Sequence, residues 1–140
     1  LTDVQVVPPL RMNGGHAWLR LAELPGTAVE VRIVVERAQA ERKRFGFFLF
    51  GDGGDSGLPI LIEPGTGTLR VGDAEAPFVV ADLPPGEDVN LRVFIDEYLV
   101  EVFANERQAM VAAHLDYNGK TGLDAYTFGA PTILKSVEIW

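Results

Sequence analysis

The sequence contains no cysteine, which excludes disulfides, thiolate metal sites and a cysteine nucleophile. No apolar run approaches the roughly 18 residues of a membrane-spanning helix, and no signal peptide stands out. Histidine is scarce. His16 and His114 are the only two, far apart and without an evident third ligand for zinc. Basic residues are also outnumbered, with 12 Lys and Arg against 20 Asp and Glu for a net charge of −8. That field repels phosphate backbones and anionic membrane surfaces, so neither nucleic acid nor membrane is an expected partner. The one basic cluster, Arg42-Lys43-Arg44, follows Glu41 and precedes an apolar run, as a solvated loop guarding a strand end would. Helical pattern is nearly missing too. Only "ERAQAERKR" at 36–44 has the composition, and without an apolar stripe it predicts at most one turn.

What remains is a chain of 140 residues, 47% hydrophobic, long enough for one domain with a real core. Its 15 Gly and nine Pro are spread along the chain, as in a fold of many short strands and turns. It begins with Leu, so the expectation is a processed or excised piece of something longer. Secretion or a periplasmic location is the expected placement, with a cytoplasmic one left open.

Residues 1–15, "LTDVQVVPPLRMNGG", read as a leading linker segment stiffened by Pro8-Pro9 and ended by Gly14-Gly15. The sandwich domain is expected over 16–140. Runs rich in β-branched and aromatic residues predict strands near Ala17–Leu21, Val29–Val35, Phe45–Phe50, Pro59–Ile62, Thr68–Val71, Phe78–Val80, Val89–Ile95, Leu99–Ala104, Gln108–His114, Asp124–Phe128 and Ile133–Trp140. With no room for helical crossovers, these predict an all-β, two-sheet antiparallel β-sandwich, a concanavalin-like jelly roll of ten or eleven strands. Val29, Val31, Ile33 and Val35 alternate with Glu30 and Arg32, so that strand buries one face. "FGFFLF" at 45–50 is apolar on both faces, which places it mid-sandwich or under a partner.

The densest pattern is "LRVFIDEYLVEVFANERQAM" at 91–110. Leu91, Val93 and Ile95 oppose Arg92, Phe94 and Asp96; after a turn, Val100, Val102 and Ala104 oppose Leu99, Glu101 and Phe103. The pattern predicts a hairpin continuing through a turn at Asn105-Glu106-Arg107 into a third strand. A retaining glycosidase needs two carboxyls roughly 5 Å apart, one with a raised pKa in a partly closed cleft. Asp96 at a turn and Glu101 in a strand are expected instead to be structural, with Arg92 as cross-strand partner of Glu101.

"LRVFIDEYLVEVFAN" resembles the hairpin "LRxFxDxSxVEVFxN" of the C-terminal β-sandwich module of glycoside hydrolase family 32, which includes invertases, inulinases and levanases. The matching residues are Leu91, Arg92, Phe94, Asp96, Val100, Glu101, Val102, Phe103 and Asn105. "RFGFFLF" at 44–50, "GTLRVG" at 67–72 and "ILKSVEIW" at 133–140 resemble further strands of that module, in order. Tyr98-Leu99 stands where the family has Ser-Ser, and Glu106-Arg107 where it has Asp-Gly. The resemblance implies that hydrolysis belongs to an N-terminal five-bladed propeller, whose three acidic motifs are not in this sequence. No catalytic residue is therefore assigned here, and no cofactor is expected.

Other candidates concern binding. Asp52 and Asp55 in "GDGGDSG" are two carboxylates in a loop, fewer oxygens than calcium takes, so a flexible turn is the expectation and a metal is not. Exposed tyrosines stack on the C–H faces of sugars, and Tyr98, Tyr117 and Tyr126 are the candidate carbohydrate contacts. Trp18 and Trp140 lie in strand patterns and are expected in the core or between domains. The resemblance thus implies a non-catalytic module of a parent hydrolase acting on fructans or sucrose, with the propeller as its partner. A carbohydrate-binding module with a polysaccharide partner is one alternative and a laminin-G-like protein-interaction domain another; self-association stays open.

Overall fold

The computed structural model describes residues 4–12, 18–53, 56–97, 99–113, 119–128 and 131–140, with only the backbone of Gln39. The strands are β1 (Gln5–Val7), β2 (Leu10–Met12), β3 (Leu19–Glu23), β4 (Ala28–Val35), β5 (Phe45–Gly51), β6 (Leu58–Glu63), β7 (Thr68–Val71), β8 (Ala74–Pro77), β9 (Val89–Asp96), β10 (Leu99–Ala104), β11 (Gln108–Ala113), β12 (Gly122–Thr127) and β13 (Thr132–Ile139). A single helical turn, α1 (Arg37–Ala40), follows β4.

Two sheets pack face to face. One has seven strands in the order β1-β13-β4-β9-β10-β11, with β2 also on β13; the other has six, β3-β12-β5-β6-β7-β8. Every recorded pairing is antiparallel. The expected sandwich is present, with thirteen strands among the described residues rather than ten or eleven.

The inward rows make one core. Val29, Val31, Ile33 and Val35 of β4, and Val89, Leu91, Val93 and Ile95 of β9, face Phe45, Phe47 and Leu49 of β5 and Leu123 and Ala125 of β12. Full burial of such a side chain is worth about 1.5–3 kcal/mol before entropy is counted. β5 is central in its sheet, between β12 and β6, so one of its apolar faces is core.

Three differences from the sequence expectation have physical causes. Within the leading segment, β1 and β2 pair with opposite ends of β13, Gln5 against Ile139 and Leu10 against Leu134. Pro8-Pro9 lacks the N–H groups to continue the ladder between them, so it splits one edge into two rather than marking a linker. Ala74-Glu75-Ala76-Pro77 carries no β-branched residue, yet pairs with β7 as an edge strand. Phe78–Val80 is not a strand. Phe78 and Val80 are apolar because they are buried, and a 3-10 turn runs over Val80–Asp82.

Candidate functional site

The outward face of the β9–β10 hairpin carries the residues that the sequence singled out. Asn90, Arg92, Phe94 and Asp96 project there from β9, and Leu99, Glu101 and Phe103 from β10. Register sets Asp96 opposite Leu99, Phe94 opposite Glu101 and Arg92 opposite Phe103. On its other side Glu101 meets Val111. The expected Arg92–Glu101 pairing is therefore corrected: the guanidinium reaches Glu106 at 3.5 Å and lies 5.1 Å over the Phe94 ring. Asp96 and Glu101 are both exposed on an open sheet face rather than enclosed in a cleft.

Asn105 is the most fully used side chain of the hairpin. Its backbone takes φ 51°, a left-handed conformation that Asn tolerates better than most residues. The side-chain oxygen accepts the Asn90 N–H at 2.8 Å, and the amide nitrogen donates to Glu87 and to the Asp88 carbonyl, each at 2.8 Å. Glu106 follows at φ 56°, and the turn closes where the Arg107 N–H donates to the Ala104 carbonyl at 3.0 Å.

The loop that Asn105 holds is tied from its other side as well. Arg37 donates to the carbonyls of Ala81, Leu83 and Pro84, and its backbone N–H to Asp88 at 3.1 Å. Lys135 donates to Asp88 at 2.7 Å. Burial pushes the Asp88 carboxyl up, but the Lys135 hydrogen bond, the Arg37 N–H and the Lys135 charge outweigh it and leave the group below its ordinary value. This fastening bounds a hollow of about 620 Å³ on the sheet's outward face, lined by Arg32, Asn90, Arg92, Phe103, Ser136 and Glu138 among others.

The outward face of the six-stranded sheet is aromatic instead. Tyr126 stacks on Phe48 at 4.7 Å and meets the edge of Phe128 at 5.3 Å, with Arg44 4.0 Å over the Phe128 ring. Tyr126 is only 7% exposed, and burial pushes its phenol up to about 12. It offers no free ring face to a sugar, because Phe48 from the neighbouring strand β5 and Phe128 just past β12 cover it. Tyr98, Tyr117, Asp55, His16 and His114 lie outside the described residues. Asp52 binds Lys120 at 3.0 Å. Trp18 is exposed rather than core, and Trp140 ends the chain with Arg32 5.7 Å over its ring.

One charged pair escaped the sequence reading. Asp124, wholly buried in β12, accepts from Arg20 Nε and, at 3.2 Å, from the Gly53 N–H. Gly51 and Gly122 make the room: a Cβ on Gly51 would lie 2.2 Å from the Asp124 carboxylate, and one on Gly122 2.6 Å from the Arg20 guanidinium. The signal was there in "TGLDAYTFG", a lone Asp inside an otherwise uncharged run, where burial demands a partner.

Comparison with known proteins bears on the whole chain. The family model described as "Glycosyl hydrolases family 32 C terminal" matches residues 5–140. The fold is similar to the fructosyltransferase from A. japonicus, at 16% identity and TM-score 0.74 over 98% of this chain and 26% of that one. Exo-inulinase from Aspergillus awamori is similar at 13% identity and TM-score 0.69, over 99% of this chain and 28% of that one. Sheep galectin-11, solved with glycerol, is similar at 19% identity and TM-score 0.57, over 95% of this chain and 98% of that one. At such identities the likeness is one of fold. This chain spans about a quarter of the two Aspergillus chains. Curated protein sequences give no match.

Proposed function

The chain belongs to the family 32 C-terminal modules, and we propose that it is the non-catalytic sandwich of a glycoside hydrolase acting on fructans or sucrose. The observation that carries this reading is the family match over residues 5–140, which takes in strands of both sheets. Hydrolysis then belongs to a catalytic propeller that precedes the module in the parent chain, and the module's part is to pack against it. The surface that suits this contact is the aromatic face of the six-stranded sheet. Phe48 is half-buried, Phe128 is partly exposed, and Leu61 lies nearby on the same sheet. Such a face gains by losing its remaining water.

The test has two arms. The chain alone, incubated with sucrose, inulin and levan, releases no reducing sugar; turnover that survives purification overturns the reading. In the parent enzyme, Phe128→Asp lowers the melting temperature of the two-domain protein more than that of the module by itself. Equal losses would place the docking contact elsewhere.

A further inference from the structure

We propose that the hollow between Arg32, Asn90, Arg92, Ser136, Glu138 and the ring of Phe103 binds a neutral sugar unit of an oligosaccharide. It rests on the preceding section only for the choice of fructan probes. It lies on the seven-stranded sheet, away from the aromatic face of the other sheet, so both surfaces can be occupied at once.

Charge narrows the ligand first. Arg32 of β4 and Arg92 of β9 are paired directly across the sheet, an arrangement that repels unless carboxylates intervene. They do: Glu30 lies 3.2 Å from Arg32, and Glu106 3.5 Å from Arg92. Glu87, Asp88 and Glu138 line the hollow together with Glu106. Acids therefore outnumber guanidiniums in the lining even with Asp88 held by Lys135. A phosphate, sulfate or carboxylate would meet net repulsion, and a cation would meet two guanidiniums. A neutral ligand bearing many hydroxyls suits both signs, donating to carboxylates and accepting from arginines.

Unspent hydrogen-bonding capacity points the same way. Among the described residues the Arg92 guanidinium makes one hydrogen bond, to Glu106 at 3.5 Å, so most of its five donors are unspent. The Asn90 side-chain amide, the Ser136 hydroxyl and the Glu138 carboxylate have no hydrogen-bond partner among the described residues. Donors and acceptors of this mixture, converging beside an aromatic ring, are what fixes a sugar's orientation. Phe103 supplies the apolar wall, held edge-on to Phe94 at 5.8 Å.

Shape adds a third argument. The hollow of about 620 Å³ falls within the roughly 300–1,000 Å³ typical of small-molecule sites. A second hollow of about 570 Å³ continues past Phe103 to Arg107, Gln108 and Ala109, sharing Arg92 and Glu106. Two adjoining hollows suit consecutive units of an oligosaccharide rather than a single ring. The rim is held by Asn105 and Glu106, both at positive φ, and strain of this kind concentrates at functional positions.

The experiment titrates the chain with fructose, sucrose, 1-kestose and short inulin oligomers, using amide NMR shifts and calorimetry. Lactose and inorganic phosphate serve as comparison probes. Expected is saturable millimolar or tighter binding of the oligosaccharides, with shifts centred on Asn90, Arg92 and Ser136. Asn90→Ala, which removes the side-chain amide, and Glu138→Gln, which replaces the carboxylate by a neutral amide, should each weaken it roughly tenfold with the melting temperature unchanged. Arg92→Lys, which keeps the charge but removes the planar fork of donors, should weaken it similarly. No binding of any sugar at high-millimolar concentration overturns the proposal, as does preferential binding of phosphate or affinity indifferent to all three substitutions. If the substitutions leave sugar binding absent but loosen the module from the parent enzyme's catalytic domain, the hollow is an interdomain contact and the proposal fails. Failure here leaves the accessory role intact, whereas hydrolysis by the chain alone would overturn that role without touching this one.

Discussion

Asn105 clasps the main chain of Asn90 with both its side chain and its own backbone. The Asn90 N–H donates to the Asn105 side-chain oxygen at 2.8 Å, and the Asn105 N–H returns the bond to the Asn90 carbonyl at 2.8 Å. The clasp joins the β10–β11 turn to the start of β9 and fixes one wall of the polar hollow.

Asn105→Ala loses the side-chain bonds and puts a poorly tolerated residue at φ 51°, so it should cost about 2–4 kcal/mol in urea unfolding. Asn105→Gly relieves the backbone while losing the same bonds, and should cost visibly less. Equal losses would mean that the conformation carries no strain.

The Arg20–Asp124 pair should respond asymmetrically. Arg20→Ala strands a wholly buried carboxylate, whereas Asp124→Ala leaves a guanidinium that is 35% exposed and can turn to water. A loss of about 3 kcal/mol or more is expected for the first, and a smaller one for the second. Thermal unfolding of both variants checks the order, and a larger loss for Asp124→Ala would refute it.

Gly46 sits under the Tyr126 ring, where an added Cβ would lie 2.4 Å from the Ile60 carbonyl and 2.8 Å from the phenol oxygen. Gly46→Ala should destabilise by about 1–3 kcal/mol and raise the near-ultraviolet exposure signal of Tyr126. Gly65→Ala, in a turn with nothing within 4 Å, is the control and should leave stability nearly unchanged.

Acid and alkali should act through different groups. Asp88 has a folded pKa below its unfolded one, so its contribution is complete above the ordinary carboxylate value and is lost as pH falls through the folded value. Asp88→Asn should therefore flatten the acid limb of the stability curve. Tyr126 is raised to about 12. Between about pH 10 and that value the unfolded chain ionises while the folded phenol does not, so stability falls as pH rises. Tyr126→Phe should remove this alkaline loss; unchanged midpoints on either side of pH 10 would count against a buried phenol.

The readable parts of the sequence were those where neighbours along the chain share one environment. Val29 to Val35 alternates because every second residue enters the core, and Thr68–Val71 has the bounds its β-branched run suggests. β8 was not readable, since Ala74 to Pro77 pairs through backbone groups that every sequence possesses. Phe78 misled for the opposite reason, because burial in an irregular segment imitates a strand.

The sequence by itself determined the sandwich and the hairpin of 91–104, because period-two burial and turn residues are local properties, and the family through the resemblance that the hairpin's residues carry. Only the tertiary structure decided what that hairpin presents. Arg92 meets Glu106 rather than Glu101, since register is set by pairing across strands and not by spacing along one. Tyr126 is covered by Phe48 and Phe128, from a neighbouring strand and a loop. The polar hollow draws its walls from β4, β9, β10 and β13, the first and last of them about a hundred residues apart, and their meeting is a consequence of sheet order alone.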